Sequence, residues 1–309
     1  MKLRNWLLIA AVALATPASA QMERRDPHIG YAYPAGGQQG STVEVLIGGQ
    51  AIGGASLVHV TGEGVHAASV QFVKPLSNDQ LKELRVYVTG LIKARQGTQA
   101  GKPRAKGTPE EDEEVTPDVP TLLQHPLLKR LPDMSLPELE HWATQFLNTY
   151  RRQLNPQLIE MAVVELVIDA DAEPGDRELR IAGRQGVSNP LRFQVGTLPE
   201  VREHEPNDQT VFDKTPLELP AVLNGQIMPG DVDRFRFHAK ADTPLLLRAQ
   251  ARSLMPYLAD AVPGWFEAAL TLYDATGKEV AFADHYRFEP DPVLTFKAPK
   301  DGEYEIEVR

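Results

Sequence analysis

The chain has 309 residues, of which 42% are hydrophobic, a formal net charge of −10 and no cysteine. This length is sufficient for about two domains, each able to bury its own core. An acidic chain has no basic face to replace phosphate counterions, so the charge argues against a nucleic-acid partner. The lack of cysteine excludes disulfides, thiolate metal ligands and a cysteine nucleophile.

Residues 1–20 have the pattern of a secretory signal peptide that is cleaved before Gln21. Lys2 and Arg4 precede an apolar run over residues 6–15, and the segment ends in the small residues 18–20. Cleavage removes two positive charges and no acid, which leaves a net charge of −12. No later stretch approaches about 18 uninterrupted apolar residues, so we expect no membrane span. The predicted location is secreted, periplasmic or cell-surface.

Residues 27–197 are predicted to form one immunoglobulin-like β-sandwich that is interrupted by a helical insertion over about residues 77–156. Short alternating or apolar runs bounded by turn residues predict three strands on each side of the insertion, at 41–49, 56–62, 66–73, 160–170, 176–183 and 189–196. Neither half can close a core alone, so we expect strands before Lys74 to pair with strands after Gln157.

Within the insertion, two helical segments flank a polar stretch. Leu81, Leu84 and Val88 are at helical spacing in residues 77–94, and Ser135 has the character of a helix N-cap. Residues 95–120 contain charged blocks, Gly and Pro with almost no apolar side chain, which predicts a disordered, solvent-exposed loop.

Residues 198–309 are predicted to form a second β-sandwich of jelly-roll or related topology. Seven short strands separated by turns are expected at 222–228, 232–239, 245–252, 267–274, 278–284, 292–298 and 303–309. Because the sequence stops inside the last of these strands, we expect it to belong to a longer protein. The overall class is therefore mostly β, with two sandwiches.

A search for catalytic motifs is negative. The chain has no His-Glu-x-x-His and no Gly-x-Ser-x-Gly, and the glycine- and lysine-containing stretch near Lys102 does not have phosphate-loop spacing. The eight histidines are scattered singly. The sequence thus predicts a protein that is not an enzyme.

Oxygen-bearing side chains cluster at the start of the second predicted sandwich. In an extended segment Glu203, Glu205 and Asn207 share one side, and a turn brings Asp208 to the same point. A second acidic pair, Asp231 and Asp233, opens a predicted strand of the same sandwich. Ca²⁺ takes six to eight oxygen ligands of this kind. The alternative interpretation is a polar interdomain linker followed by an ordinary turn.

The segments "EHEPND", "LNGQIMPGDVDRFRF", "LTLYDATGKEVA" and "PKDGEYEIEVR" resemble, in order and spacing, the bacterial pre-peptidase C-terminal domain. That family is similar to the collagen-binding domain of clostridial collagenases. The resemblance covers roughly residues 199–309 and implies that E-x-E-x-N-D binds calcium together with acidic residues near the first strands. The implied ligands are Glu203, Glu205, Asn207, Asp208, Asp231 and Asp233, although the family often differs at the second pair.

A second resemblance concerns architecture. "YAYPAGGQQGSTVEVLIGGQ", taken with the loops of the second sandwich, is similar to large secreted proteins of planctomycete and verrucomicrobial bacteria, in which an immunoglobulin-like domain of the transcription-factor/plexin type precedes the pre-peptidase module. Two long loops carry aromatic side chains beside Asp and Arg, a combination that can hold sugars or peptide carbonyls. The candidate ligand-binding residues are Asp260, Trp265, Asp284, Tyr286 and Arg287. The alternative is that Trp265 and Phe266 plug the end of the sandwich.

Two functions follow. The preferred one is an exported, non-catalytic binding or adhesion module for an extracellular polysaccharide or protein, with a calcium-stabilised junction between its sandwiches. The alternative is the accessory region of a secreted hydrolase, a peptidase, whose catalytic domain lies beyond residue 309. Pre-peptidase modules often accompany peptidases, so the resemblance is compatible with both.

Overall fold

A computed structural model describes residues 26–99, 125–147, 158, 160–207, 216–228, 230–255 and 267–309. Strands dominate these residues, which confirms the predicted mostly-β class. Among them, no helix combines the length and the apolar character that crossing a membrane requires. The signal-peptide prediction falls on residues outside this described part.

The first sandwich is built from strands on both sides of the insertion, as predicted. Its strands are β1 (His28–Tyr33), β2 (Gly36–Gln38), β3 (Thr42–Gln50), β4 (Ala55–Val60), β5 (Val65–Val73), β6 (Glu160–Ile168), β7 (Gly175–Gly183), β8 (Gly186–Val187) and β9 (Leu191–Gly196). One sheet has the order β1-β3-β6-β5 and is antiparallel throughout. The other has the order β2-β9-β7-β4, with β8 paired to β7 and β2 parallel to β9.

The core of this sandwich lies between the inward-facing side chains of the two sheets. Val45 and Ile47 of β3 face the same core as Leu179 of β7 and Phe193 of β9, and all four are fully buried. Alternate residues along each strand point to one face of its sheet, so the period-2 pattern of the sequence places these side chains inside. Strands β1, β2 and β8 were not predicted.

The described residues of the insertion include two α-helices. They are α1 (Asn78–Gln99) and α2 (Leu136–Trp142), and Ser135 caps α2 in a reciprocal capping box with Glu138. The prediction of a loop from residue 95 is wrong for residues 95–99, which continue α1. The Arg95 guanidinium donates hydrogen bonds to the carbonyl oxygens of Pro132 and Met134, and these tertiary contacts hold the last turns of the helix. The rest of the predicted loop lies outside the described residues.

The second sandwich follows a short parallel ladder. That ladder pairs β10 (Glu200–Arg202) with β11 (Val222–Asn224). The sandwich strands are β12 (Asp233–Ala239), β13 (Pro244–Arg248), β14 (Leu270–Asp274), β15 (Glu279–Ala283), β16 (Val293–Lys297) and β17 (Gly302–Val308). One sheet has the order β12-β17-β14-β15, and β13 pairs with β16 in the other. Their facing side chains form a second buried core around Phe237, Leu272 and Tyr304.

One residue of the C-terminal half belongs to the first core. Met255 follows a short 3₁₀ turn (Arg252–Leu254) and is 5% exposed, packed in the same cluster as the core side chains of the first sandwich. The two sandwiches therefore share a hydrophobic contact in addition to the chain that joins them.

Asp291 organises the turn that precedes Met255. Its carboxylate is 7% exposed and accepts hydrogen bonds from the backbone N–H groups of Ala251, Arg252 and Ser253 at 3.1, 2.8 and 2.9 Å. Burial alone would raise the pKa of Asp291, but the hydrogen bonds from Ser253 and the neighbouring amides lower it below its usual value. The ionised carboxylate is thus a structural acceptor.

We expect Asp291→Ala to lower the free energy of unfolding by about 2–3 kcal/mol, because three backbone N–H groups, one buried and two half-buried, lose their acceptor. The measurement is urea denaturation at neutral pH. Asp284→Ala is the control: the Asp284 side chain is 54% exposed, so its loss should change stability by less than about 0.5 kcal/mol. Equal effects of the two substitutions would contradict the structural role of Asp291.

Candidate metal centre

The β10–β11 ladder positions the first acidic residue of the candidate site. Glu203 directly follows β10, and its backbone N–H continues the ladder by donating to the carbonyl oxygen of Asn224 at 2.9 Å. The Oε1 atom of Glu203 then accepts a hydrogen bond from the backbone N–H of Gln226 at 2.7 Å. Backbone pairing and the hydrogen bond from Gln226 therefore fix the direction of the Glu203 side chain.

Asp233 comes to the same point from the start of β12. Phe235 and Phe237, two and four residues later, point into the core of the second sandwich, and Asp233 has the same inward-facing register. Its side chain is only 2% exposed. Buried carboxylates need hydrogen bonds, an opposite charge or a metal ion to offset the loss of hydration.

Three carboxylates converge here. One oxygen each of Glu203, Glu205 and Asp233 can be chosen so that all three atoms lie within 4.8 Å of one another. At that separation two negative charges repel each other by roughly 3–4 kcal/mol at an effective dielectric constant of about 20. Such a group is unfavourable in its fully ionised form unless a proton or a cation neutralises part of the charge.

The electrostatics of Glu203 reflect this crowding. Burial raises the pKa of Glu203, and the charge of Asp233 together with a hydrogen bond to that residue raises it further, to about 10. Without a cation, the group therefore retains a proton at neutral pH. The site is a place where a proton and a metal ion would compete for the same oxygens.

Asn207 supplies a second, independent indication of a ligand. Its backbone N–H donates to Oε2 of Glu205 at 3.0 Å, which places the residue directly beside the carboxylates. Its side chain is 93% buried, being 7% exposed, and neither its amide oxygen nor its amide nitrogen has a hydrogen-bond partner among the described residues. Buried side-chain amides are normally satisfied, and a metal ion would satisfy the oxygen.

Gly225 forms a close wall of the site. An added Cβ at this position would lie 2.2 Å from Oδ2 of Asp233 and 2.8 Å from Oε2 of Glu203. Glycine allows this close approach of the backbone to both carboxylates, and no other residue could occupy the position without displacing them.

The donor set fits a hard cation. Three carboxylates and an amide oxygen can provide at least four oxygen ligands, and backbone carbonyls and water commonly complete a calcium shell. The group identified among the described residues contains no histidine, and the chain has no cysteine, so it does not resemble the nitrogen and sulfur sets that zinc prefers.

The structure separates Asp231 from this group. Its Oδ2 accepts the backbone N–H of Met228 at 3.0 Å and its Oδ1 accepts that of Val232 at 3.1 Å, so the carboxylate closes the turn before β12. Asp208, the remaining predicted ligand, lies outside the described residues. The structure thus brings together Glu203, Glu205 and Asp233, with Asn207 adjacent.

Of the predicted ligand-binding loops, the structure describes one. Asp284 pairs with the neighbouring His285 at 2.6 Å, and the Arg287 guanidinium lies 5.2 Å from the centre of the Tyr286 ring. Reciprocal backbone hydrogen bonds between Tyr286 and Glu289 close a tight hairpin, and Phe288 at its tip is fully exposed. Asp260 and Trp265 lie outside the described residues.

Sequence reasoning missed two residues at the candidate metal centre. Gly225 has the composition of an ordinary turn residue, so only the closeness of Asp233 identifies it. Tyr33 belongs to β1 of the first sandwich, yet its hydroxyl donates to the carbonyl oxygen of Asn224 at 3.2 Å. Burial and the nearby charge of Glu203 raise the pKa of Tyr33, so the hydroxyl remains a proton donor. No local pattern signals a contact across 191 positions.

The comparisons with known proteins show partial similarities and assign the chain to no family. No family model matches the chain. A probable subtilase-type serine protease of Deinococcus radiodurans is 35% identical over 116 residues, a match that covers 36% of this chain and 14% of the protease. The chain is therefore similar to a small part of this protease, and the match does not extend to the whole of either protein.

Among solved structures, similarity is found to C-terminal domains of streptococcal antigen I/II-family proteins. The domain of AspA from Streptococcus pyogenes is 9% identical with a TM-score of 0.20, and the match covers 92% of this chain and 90% of the AspA chain. The domain of BspA from Streptococcus agalactiae is 8% identical with a TM-score of 0.16, and the match covers 89% of this chain and 86% of the BspA chain. At these scores the likenesses support no conclusion about function.

Proposed function

We propose that this protein is an exported, non-catalytic binding module in which Ca²⁺ stabilises the junction between the two sandwiches. The observation that carries the proposal is the group of half-buried Glu203 and Glu205 with buried Asp233, beside the buried Asn207 amide that has no hydrogen-bond partner among the described residues. The first two acids and Asn207 belong to the connection between the sandwiches, whereas Asp233 belongs to a strand of the second. A shared ion would therefore tie that connection to the second fold.

Isothermal titration calorimetry with CaCl₂ tests this proposal. We expect the wild-type protein to bind one Ca²⁺ with a dissociation constant below about 1 mM, within the range of extracellular calcium modules. Glu205→Gln combined with Asp233→Asn should abolish binding, because two of three charged ligands are lost. Asp231→Asn is the matched control and should bind like the wild type, since Asp231 closes a turn outside the group.

Two results would defeat the proposal. The first is a wild-type protein that binds no Ca²⁺ at millimolar concentrations. The second is equal binding by the wild type and the double variant. A control variant that loses binding while the double variant retains it would move the site to Asp231.

The proposed ligand is an extracellular polysaccharide or protein, and the proposed binding surface is the exposed hairpin at residues 286–289. Support comes from the exposed rings of Tyr286 and Phe288, which lie beside the charged side chains of Asp284 and Arg287. A glycan and matrix-protein array, read with Ca²⁺ and with chelator, tests this. Binding that survives Tyr286→Ala combined with Phe288→Ala would exclude the hairpin.

A second candidate is an accessory region of a secreted protease. The specific observation in its favour is the 35% identity to part of a probable subtilase-type serine protease. Reading the gene beyond codon 309 distinguishes the candidates, because a downstream serine-protease domain would support the accessory role, whereas further β-modules would support adhesion.

A further inference from the structure

Two hydrogen bonds join the first sandwich to the β10–β11 ladder. The Tyr33 hydroxyl at the end of β1 donates to the carbonyl oxygen of Asn224 at 3.2 Å. The Arg202 guanidinium of β10 donates to the carbonyl oxygen of Glu44 on β3. Tyr33 pairs with Leu46 in the β1–β3 ladder, so the two contacts lie close together on one sheet of the first sandwich.

The carbonyl group that Tyr33 contacts also supports the metal centre. The same oxygen of Asn224 accepts the backbone N–H of Glu203 at 2.9 Å. The Asn224 side chain donates to Glu200 at 2.9 Å, which fixes this strand end from the other side. Gly225 and Gln226 follow immediately. Gly225 lies close against the carboxylates, and the backbone N–H of Gln226 donates a hydrogen bond to Oε1 of Glu203.

From this connection we infer that Tyr33 is a positioning residue for the calcium site, so that binding of the ion and docking of the first sandwich onto the β10–β11 ladder are thermodynamically linked. The inference rests on the proposed calcium function. Tyr33 does not coordinate the ion in this account. It holds the 224–226 segment in the conformation that places the Glu203 carboxylate toward Asp233.

The linkage is reciprocal. If docking through Tyr33 raises the affinity for the ion by some factor, then the ion must raise the docking equilibrium by the same factor. Calcium would therefore narrow the range of orientations between the sandwiches, and loss of the Tyr33 hydroxyl would weaken both processes.

The first experiment measures affinity. Tyr33→Phe removes one hydroxyl and keeps the ring, and we expect calorimetric titration with CaCl₂ to show about three- to tenfold weaker binding, the value of one hydrogen bond. The control is Tyr31→Phe, which removes a hydroxyl two residues earlier on the same strand, where the ring packs over Gly48. Its calcium affinity should equal that of the wild type.

The second experiment measures geometry, which a general loss of stability would not mimic. The chain has no cysteine, so spin labels at Leu57→Cys and Leu246→Cys, both in exposed strand positions of different sandwiches, report a single distance. In the wild type we expect a narrow distance distribution with CaCl₂ and a broad one with chelator. In Tyr33→Phe we expect the narrowing to require about three- to tenfold more CaCl₂, so that at a calcium concentration near the wild-type dissociation constant the distribution of the variant stays broader than that of the wild type.

The outcomes separate the inference from the function on which it rests. A wild type that does not bind Ca²⁺ refutes both. A wild type that binds, with Tyr33→Phe showing the same affinity and the same calcium-dependent narrowing, refutes the role of Tyr33 and leaves the calcium site intact. Weaker binding by Tyr33→Phe, together with narrowing that requires correspondingly more CaCl₂, supports the linkage.

Discussion

Gly225→Ala should weaken calcium binding by about 10- to 100-fold, the usual cost of disturbing the groups that orient metal ligands. The added methyl group would lie 2.2 Å from Oδ2 of Asp233 and 2.8 Å from Oε2 of Glu203, so both carboxylates must turn away. Both clashes involve the ends of side chains. The variant should consequently fold normally, and its thermal unfolding in chelator should resemble that of the wild type.

A second glycine in the same sandwich provides the control. Gly302, at the start of β17, has no atom within 4 Å of an added Cβ. Gly302→Ala should bind calcium like the wild type in a calorimetric titration. Unchanged affinity in Gly225→Ala would show that Asp233 and Glu203 do not act together on an ion.

Calcium affinity should increase with pH across the neutral range. The pKa of Glu203 is raised to about 10 in the folded protein, so the residue carries a proton that the ion must displace. With one proton released per ion, affinity should rise by up to about tenfold per pH unit between about pH 6.5 and 8.5. Calorimetry in two buffers of different ionisation enthalpy measures the released protons directly.

The same shift fixes the sign of the stability change without calcium. The folded state binds one proton more than the unfolded state between the usual glutamate pKa and the raised value, so the free energy of unfolding falls as pH rises through this window. Saturating Ca²⁺ should remove that dependence. Glu203→Gln should release no proton on any residual binding, and a wild type with pH-independent affinity would contradict the proton competition.

The sequence predicts the part of the candidate metal centre that comes from one short segment, whereas Asp233 reaches the group from β12. Glu203, Glu205 and Asn207 are at alternate positions of one short segment, although the structure has a bend at Glu205 in place of the expected extended backbone. The predicted second pair is divided, because the Asp231 carboxylate accepts the backbone N–H groups of Met228 and Val232 and does not join the group around Asp233.

The fold shows the same division between local and long-range information. Apolar periodicity predicts the central strands of both sandwiches, whereas β2 and β10 have only three residues each, too few for a period to appear. The last turns of α1 have loop composition, and it is the Arg95 contacts with the distant 132–134 segment that stabilise them. Tertiary contacts override weak local propensity at such ends.

The location of Met255 has a practical consequence for dividing the protein. A fragment that stops near residue 197 would keep every strand of the first sandwich but lose this methionine, which packs with the buried core of that sandwich. Emptying a buried methionine site costs about 2–5 kcal/mol, a large share of the stability of an ordinary domain. An isolated N-terminal fragment would therefore have reduced stability and would be poorly suited to ligand screening. Fragments for expression should extend at least through residue 255.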